Sequence, residues 1–184
     1  MKPVKIAITG GTLRGRKIVS YSAATRPTAQ NVKIAVFNML FNVYGVGLDL
    51  FSGSGAYGIE GLSRGLDKAY FNDSDHDAFR SLKENIESLD LTSKAVISNS
   101  DYKAALNYYQ NQQIVFNVIF LDPPYELSDS VFLEIFTWAS NTQPKGLKVV
   151  VERDKNKKIL EIPGFSLIKN KQYGIKQITI YEKD

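Results

Sequence analysis

The chain has 184 residues, 43% of them hydrophobic and 23% charged, which is ordinary for a globular protein and enough to bury one continuous core. It contains no cysteine, which excludes disulfides and thiolate chemistry, and its single histidine, His76, leads us to expect no metal site. No apolar run approaches the ~20 residues that a membrane span requires, and no signal-peptide-like segment opens the chain. We therefore expect a cytoplasmic protein with no membrane partner.

The positive charge of the chain is concentrated near its start. The net charge is only +4, but the first 48 residues hold seven lysines or arginines and no acid, and the first acidic residue is Asp49. Lysine and arginine release condensed counterions from phosphates, so a basic extension on a mildly acidic body favours a polyanionic partner. A solvated basic surface without a partner explains the charge equally well on this observation alone.

The chain begins with a pattern typical of a hairpin followed by a helix. Two apolar strands, Val4–Ile8 and Lys17–Val19, flank a glycine-rich loop at residues 9–16. Thr28 is a plausible N-cap for a helix that runs to about Val43, with apolar residues at helical spacing on one face. We expect residues 1–44 to form a basic hairpin and helix that extend a core at residues 45–184, all within one domain.

From Val46 onward, strands and helices alternate, which predicts a doubly wound α/β fold with a mostly parallel sheet covered on both faces. Three strands with little helix between the last two end the chain, which predicts an antiparallel hairpin that closes the edge of the sheet. The predicted strands are Val46–Leu50, Lys68–Asn72, Ala95–Ser98, Phe116–Leu121, Leu147–Val151, Phe165–Ile168 and Lys176–Tyr181, and the predicted helices are Ala56–Arg64, Ser74–Leu89, Asp101–Tyr109 and Ser128–Ala139.

A glycine-rich loop follows the first strand of this core. Gly53, Gly55 and Gly58 match the dinucleotide-binding fingerprint, so a nicotinamide-dependent oxidoreductase has to be considered. Asp49 stands directly before the loop, however, where its carboxylate would repel a pyrophosphate. It suits a cationic ligand that carries an ammonium group near a sulfonium, and S-adenosylmethionine is such a ligand.

Carboxylates also follow the next two strands. Asp73 ends the second strand, where an acid can accept hydrogen bonds from ribose hydroxyls, and Asp101 follows the third strand, where it can accept from an adenine amino group. Individually, each is at least as well explained as a helix N-cap or a turn residue. Together with Asp49 and the loop residues Phe51 and Gly53, they predict a cofactor crevice along the carboxyl ends of three parallel strands.

The fourth strand of the core ends in Asp122-Pro123-Pro124-Tyr125. Two prolines prevent the strand from continuing and fix two φ angles near −65°, so the loop is stiff and presents a carboxylate, a proline carbonyl and an aromatic ring. A simple turn beginning with Asp has the same composition. Its position opposite the glycine loop favours a catalytic role.

These groups match the needs of methyl transfer to an exocyclic amine of a nucleic-acid base. The lone pair of such a nitrogen is delocalised into the ring, and two acceptors, Asp122 and the Pro123 carbonyl, would let the nitrogen pyramidalise toward the methyl donor. The carboxylate would also stabilise the positive charge that develops on nitrogen. Tyr125 would stack on a base that has left its stack, and no tuned general base is needed.

These residues resemble the RsmD type of bacterial 16S rRNA guanine-N2 methyltransferases, and the likeness covers nearly the whole chain. The motifs that carry it are Ile8-x-Gly10-Gly11-x-Leu13-Arg14-Gly15-Arg16, Thr25-Arg26-Pro27-Thr28, the stretch from Asp49 to Gly65, Phe120–Tyr125, and Tyr173-Gly174 with Ile178-x-Ile180-Tyr181. Five residues at three sites depart from the family pattern. Asn72-Asp73 stands where the family usually has a hydrophobic residue and Glu, Gln30-Asn31 replaces an Asp-Arg pair, and Tyr57 stands where a smaller aliphatic residue is usual.

The resemblance implies the class I methyltransferase fold with S-adenosylmethionine as the cofactor. It implies cofactor contacts at Asp49, Gly53, Gly55, Asp73 and Asp101, and contacts to the target amine at Asp122 and Tyr125.

We expect the substrate to be 16S rRNA, within a small ribosomal subunit or an assembly intermediate, and the protein to be a monomer. The phosphate contacts would come from Arg14, Arg16, Lys17 and Arg26. Alternatives are DNA adenine-N6 methylation by the same loop and a catalytically silent rRNA-binding assembly factor. A nicotinamide-dependent oxidoreductase fits less well.

Overall fold

The computed structural model describes residues 3–21, 28–124 and 126–184, without the side chains of residues 28 and 29. No helix within these ranges is long and apolar enough to cross a membrane. The strands are β1 Val4–Ala7, β2 Lys17–Ser20, β3 Val46–Asp49, β4 Lys68–Asn72, β5 Ala95–Ser98, β6 Val118–Leu121, β7 Lys148–Asp154, β8 Phe165–Tyr173 and β9 Lys176–Lys183, and the helices are α1 Thr28–Leu40, α2 Ala56–Arg64, α3 His76–Ser88, α4 Tyr102–Asn111 and α5 Asp129–Thr142.

A seven-stranded sheet forms the centre of the fold, with the strand order β5-β4-β3-β6-β7-β9-β8. Strands β3 to β7 are parallel, and β9 lies antiparallel between β7 and β8. This confirms the predicted doubly wound sheet with an antiparallel hairpin at its C-terminal edge. The strand order reverses between β3 and β6, and open α/β sheets bind their ligands at the carboxyl ends of the strands beside such a switch point.

Alternate residues of the central strands pack into two separate cores, one on each face of the sheet. Phe120 and Val150 belong to the core beneath α1, α2 and α3, which also includes apolar residues of the two-stranded β1–β2 sheet. Ile119 and Val149 belong to the core beneath α4 and α5. A strand buried on both faces reads as a continuous apolar run, and β6 is buried at all four of its residues.

The glycine-rich loop of the N-terminal hairpin packs against the C-terminal end of α2. The backbone N–H of Thr12 donates to the carbonyl of Ser63 at 2.8 Å, and that of Leu13 donates to the Ser63 hydroxyl at 2.9 Å. A Cβ on Gly11, whose φ is +75°, would lie 1.7 Å from the Ser63 carbonyl oxygen. The glycine is therefore required by the close approach of two backbones.

A buried carboxylate joins the same extension to α2. Glu60 is fully buried and pairs with Lys33 of α1 at 3.0 Å and with Arg64 at 2.8 Å. It also accepts hydrogen bonds from the backbone N–H and the hydroxyl of Thr9. Burial lowers the pKa of Lys33, whereas the positive charge of Lys33 and the Thr9 hydrogen bonds outweigh burial and lower the pKa of Glu60. The hairpin, α1 and α2 thus share one charge cluster.

Some predicted element ends differ from the structure. Helix α1 ends at Leu40 instead of near Val43, because Phe41 adopts a left-handed conformation with φ of 63°. Strands β7 and β8 are longer than predicted and reach Asp154 and Tyr173, because both pair with β9 along most of its length. The predicted N-cap role of Thr28 falls on a side chain outside the described set.

Candidate active site

Asp49 is the last residue of β3 and is only 1% exposed. Its Oδ2 accepts a hydrogen bond from the backbone N–H of Gly58 at 2.9 Å. Its Oδ1 is buried and has no hydrogen-bond donor among the described residues. An unpaired buried carboxylate oxygen is costly, so this atom needs a partner from outside the described chain.

The glycine loop between β3 and α2 borders open space at Gly53. Gly53 has a φ of 53°, and a Cβ placed on it would meet no atom within 4 Å. Gly55, with a φ of 86°, precedes the first turn of α2 and packs against Leu82 and Ile59. Gly53 therefore borders open space beside the switch point, whereas Gly55 is required by close packing.

The end of β4 is tied to the same loop. Asp73 is partly buried, and its Oδ2 accepts from the Gly53 backbone N–H at 2.8 Å while its Oδ1 accepts from that of Asp75 at 2.9 Å. Asn72 is buried and connects the ends of β4 and β5 through Ser98 and Ser100. The departure at Asn72-Asp73 thus gives a shorter acid and an amide that links two strand ends.

The other two candidate cofactor contacts lie farther along the same edge. Asp101 is exposed and caps α4, where its side chain accepts from the backbone N–H of Lys103 at 2.8 Å. The predicted N-cap role of Asp101 is therefore confirmed. Its second carboxylate oxygen remains available to accept a hydrogen bond from an adenine amino group. The ring of Phe51 is partly buried, 6.1 Å from the ring of Tyr102 between centroids.

Asp122 follows β6 on the strand next to Asp49. Asp49 pairs with Phe120 in the sheet register, so Asp122 lies two residues beyond Asp49, or about 7 Å along the strand direction. Asp122 is partly buried, Pro123 is buried and Pro124 is exposed. Tyr125, predicted to stack on the target base, lies outside the described residues. The structure thus brings the predicted catalytic carboxylate and the predicted cofactor carboxylate to the same switch point.

Three residues that the sequence interpretation did not assign to the site surround Asp122. The hydroxyl of Tyr57, in α2, donates to Oε2 of Glu152 at 2.6 Å, and the ammonium of Lys176 is bonded to Oε1 of the same carboxylate. Glu152 lies beside Asp122, because Leu121 pairs with Val151 in the parallel register. The Tyr57 ring stacks on Phe120, with 5.4 Å between centroids.

Burial and neighbouring carboxylates raise the pKa values of Asp49 and Asp122. Burial raises the pKa of Asp49 to about 7, opposed by the Gly58 hydrogen bond and assisted by the charge of Asp73. Burial and then the charge of Glu152 raise the pKa of Asp122 well above its ordinary value, and the Lys176 charge opposes this rise. Burial also raises the pKa of Tyr57, with Glu152 as the next cause. A site with this excess of acids favours a cationic ligand.

The predicted phosphate-binding cations do not lie near Asp122. Arg14, Arg16 and Lys17 are exposed, and the Arg16 guanidinium donates to the carbonyl of Ser88 at the C-terminal end of α3 at 3.0 Å. Helices α2 and α3 start at the carboxyl ends of their strands and run back, so their C-terminal ends lie beside the amino ends of the strands. The structure thus places these three side chains at the end of the sheet opposite to Asp122, and Arg26 lies outside the described residues.

A sequence model of the family described as "Conserved hypothetical protein 95" matches residues 6–182. Ribosomal RNA small subunit methyltransferase D of Haemophilus influenzae is 32% identical over 182 residues, covering 97% of this chain and 94% of that protein. The chain belongs to the RsmD-type family. It is an S-adenosylmethionine-dependent methyltransferase with the Rossmann-like class I fold.

Two further bacterial proteins are similar to nearly the whole chain. The YlbH protein of Bacillus subtilis is 35% identical over 181 residues, covering 96% of this chain and 98% of that protein. The solved structure of the Escherichia coli yhhF protein superposes with a TM-score of 0.84 at 26% identity, covering 98% of this chain and 99% of that one. The agreement includes both the N-terminal extension and the sheet.

The residues at the switch point fit S-adenosylmethionine. The unpaired Oδ1 of Asp49 is an acceptor for a donor group of the ligand, and the space beside Gly53 admits a close approach to the backbone. The acidic surroundings complement a positively charged molecule. Asp49, Gly53 and Asp73 are therefore the candidate cofactor contacts that the RsmD-type structure supports best.

For Tyr57, the signal in the sequence was its departure from the smaller aliphatic residue usual in the family. Glu152 and Lys176 carry no motif, because they meet only through the pairing of β7 with β9. An acid at the end of a buried strand was the available signal for Glu152. For Lys176, the sequence contained no signal.

Proposed function

We propose that this protein methylates the exocyclic N2 amine of a guanine in 16S rRNA, within a small ribosomal subunit or an assembly intermediate. One observation carries the proposal: Asp122 and Pro123 follow β6 on the strand directly next to β3, which ends in Asp49 and the Gly53 loop. The relatives named for small-subunit rRNA methylation support rRNA as the substrate class.

In this mechanism the chain orients the nucleophile. The Asp122 carboxylate and the Pro123 carbonyl each accept one N–H of the target amine, which turns the nitrogen lone pair toward the cofactor. S-adenosylmethionine, held by Asp49 and the Gly53 loop, would supply the electrophilic methyl group, so that an N–C bond would form as the S–C bond breaks. The Asp122 carboxylate stabilises the charge that develops on nitrogen, and one N–H proton then passes to water.

Substrate positioning is the main contribution of the protein. Correct orientation of two reactants can supply up to ~7–11 kcal/mol of barrier lowering. Two prolines after Asp122 fix the backbone that presents the carboxylate, and the buried position of Pro123 holds the loop against the sheet. Tyr125 follows in the chain and would stack on the flipped base, a contact worth about 1–3 kcal/mol.

Transfer of a labelled methyl group from S-adenosylmethionine tests the proposal. Small ribosomal particles from cells that lack the protein, naked 16S rRNA and plasmid DNA are offered in parallel, and the labelled nucleoside is identified after digestion. We expect label in the small-subunit RNA as N2-methylguanosine. Label in DNA adenine would overturn the proposal in favour of adenine-N6 methylation, and cofactor binding without transfer to any particle or RNA would also contradict it.

A further inference from the structure

The catalytic end of the sheet carries a second basic region, which we call the lysine face: Lys155, Lys157, Lys158, Lys169 and Lys171. All five side chains are exposed. Residues 155–176 contain six lysines and a single acid, Glu161. This run of positive charge contrasts with residues 49–184 as a whole, which have more acids than bases.

The sheet register places Lys171 of this face in line with Asp122. Lys171 pairs with Ile178, and Ile178 pairs with Glu152, so these residues form one row across the sheet at the level of Asp122. The row crosses three strand spacings from β6 to β8, which is about 14 Å. Paired residues point to the same face of a sheet, so Lys171 projects on the side of Glu152 and Asp122.

The segment after β7 brings Lys155 and Lys157 toward the same end of the sheet. Lys155 donates its backbone N–H to the Ile175 carbonyl at the tip of the β8–β9 hairpin. Lys157 lines a groove together with Pro123 and Pro124, and the acids Glu152 and Asp154 line the same groove. A chain that runs from Pro124 to the edge strand would therefore begin beside Lys157 and end beside Lys171.

We infer that the lysine face binds the phosphate backbone of the RNA that carries the target base. This inference rests on the proposed function. It places the phosphate contacts on the lysine face instead of on Arg14, Arg16 and Lys17, which lie at the other end of the strands. The spacing suits the partner, because about 14 Å corresponds to a few nucleotides of a single strand leading away from the flipped base. Edge-strand lysines also prevent strand-to-strand association, and that role alone would leave RNA binding unchanged when the lysines are replaced.

Two matched charge reversals test the inference. Lys169→Glu/Lys171→Glu changes the lysine face, and Arg14→Glu/Lys17→Glu makes the same change of charge at the other end of the strands. Binding to unmethylated small-subunit rRNA is measured at several salt concentrations, with S-adenosylmethionine affinity and thermal unfolding as controls. We expect the first variant to bind RNA about tenfold more weakly, with a salt slope reduced by about two, and the second to stay within about twofold of the wild type.

Three results would overturn the inference. Equal weakening in both variants would show a general charge effect, and weakening in the Arg14/Lys17 variant alone would return the contacts to the N-terminal extension. Unchanged RNA binding in the Lys169/Lys171 variant, with activity lost only on particles, would assign the face to a ribosomal protein. If the wild type binds cofactor but neither binds nor methylates RNA, the proposed function itself fails.

Asp122 has charged and polar neighbours on several sides. The side chains that face it come from four elements: Asp49 of β3, Tyr57 of α2, Glu152 of β7 and Lys176 of β9. Both oxygens of Glu152 are bonded, one to the Tyr57 hydroxyl and one to the Lys176 ammonium. Glu152 is 4% exposed, so this carboxylate has little freedom to move away from Asp122.

The geometry points to Tyr57 and Lys176 as positioning residues that hold Glu152 beside Asp122, with Lys176 supplying the positive charge that offsets the two carboxylates. Without Lys176, the buried charge of Glu152 would act on Asp122 unopposed. Without Glu152, Asp122 would lose its nearest negative neighbour. Lys176 thus lowers the pKa of Asp122 and Glu152 raises it. A purely structural role of these two residues does not predict such opposite effects.

Titration of the Asp122 carboxyl by carbon-detected NMR in the free protein tests this network without any substrate. We expect Glu152→Gln to lower the pKa of Asp122 and Lys176→Met to raise it, with Lys176→Arg close to the wild type. Tyr57→Phe should leave the fold intact and broaden the Glu152 carboxyl signal. Thermal unfolding shows whether each variant is folded.

The pH profile of methyl transfer gives the second measurement. The acid limb of kcat should shift to lower pH in Glu152→Gln and to higher pH in Lys176→Met, with the KM for S-adenosylmethionine unchanged. Shifts in the same direction for both variants, or folded variants with an unshifted Asp122 titration, would overturn the network. An unshifted activity profile with a shifted titration would instead show that Asp122 does not accept from the substrate, which contradicts the proposed function.

Discussion

The backbone N–H of Gly58 donates a 2.9 Å hydrogen bond to Oδ2 of Asp49, and the other oxygen of this buried carboxylate has no donor among the described residues. The first contact holds the carboxylate at the start of α2. The second oxygen is left for a ligand. A half-satisfied buried acid costs the free protein stability, and a cationic cofactor that bonds to it recovers that cost.

Asp49→Asn should weaken S-adenosylmethionine binding by about 10- to 100-fold, because a hydrogen bond to a charged group contributes about 1.5–3 kcal/mol. Isothermal titration calorimetry of the free protein measures this. Asp90→Asn is the matched control, since Asp90 is exposed and its left-handed conformation tolerates asparagine. Equal affinity of Asp49→Asn and the wild type would contradict the assigned contact.

The pH dependence of stability provides a second check on Asp49. Its pKa is about 7 in the folded protein and near 3.8 when unfolded, so between these values the folded state holds a proton that the unfolded state has lost. The Asp49 contribution therefore makes the free protein more stable as the pH falls from 8 to 5, while affinity for the cationic cofactor decreases. Denaturant unfolding of the wild type and Asp49→Asn at both pH values measures this, and parallel pH dependences would show that Asp49 does not titrate in this range.

Two glycines of the cofactor loop should respond differently to alanine. Gly53→Ala places its Cβ in open space, so we expect a stability loss of about 1 kcal/mol from the left-handed backbone and a larger loss of cofactor affinity. In Gly55→Ala the Cβ would lie 2.7 Å from Leu82 Cδ1, so the main loss is in stability, about 1–3 kcal/mol. Thermal unfolding and calorimetry of both variants separate the effects. A Gly53→Ala protein with wild-type affinity would move the cofactor away from this position.

The buried charge cluster should be important for stability. Glu60→Ala leaves Lys33 buried without its carboxylate, which typically costs about 3–5 kcal/mol. Glu87→Ala is the control, because the Lys83–Glu87 pair is more than half exposed and exposed pairs contribute about 0–1 kcal/mol. Chemical denaturation measures both. Similar losses in the two variants would show that the cluster does not attach the N-terminal extension to α2.

Much of the fold could be predicted from the sequence because its signals are local. Alternating strand and helix patterns gave the parallel sheet, and the acids after β3, β4 and β6 were predicted at the carboxyl ends where the structure has them. Prolines 123 and 124 gave the end of β6. Each of these conclusions depends on residues close together in the chain.

The parts that could not be predicted depend on contacts distant in sequence. The full length of β8 was not predicted, because its exposed lysines do not form a strand pattern in the sequence. Pairing with β9 determines that length. The hydrogen bond from Arg16 to the Ser88 carbonyl could not be predicted, because the docking of the hairpin on α2 and α3 has no local signature. Glu152 and Lys176 meet through a register that no single segment encodes.

The central claim is that Asp122 orients the target amine, and single-turnover methyl transfer by Asp122→Asn tests it most directly. With S-adenosylmethionine saturating and small ribosomal particles as the substrate, the account predicts a transfer rate about 100- to 1000-fold below the wild type, with cofactor affinity within about twofold. Transfer at the wild-type rate by a cofactor-bound Asp122→Asn protein would contradict it.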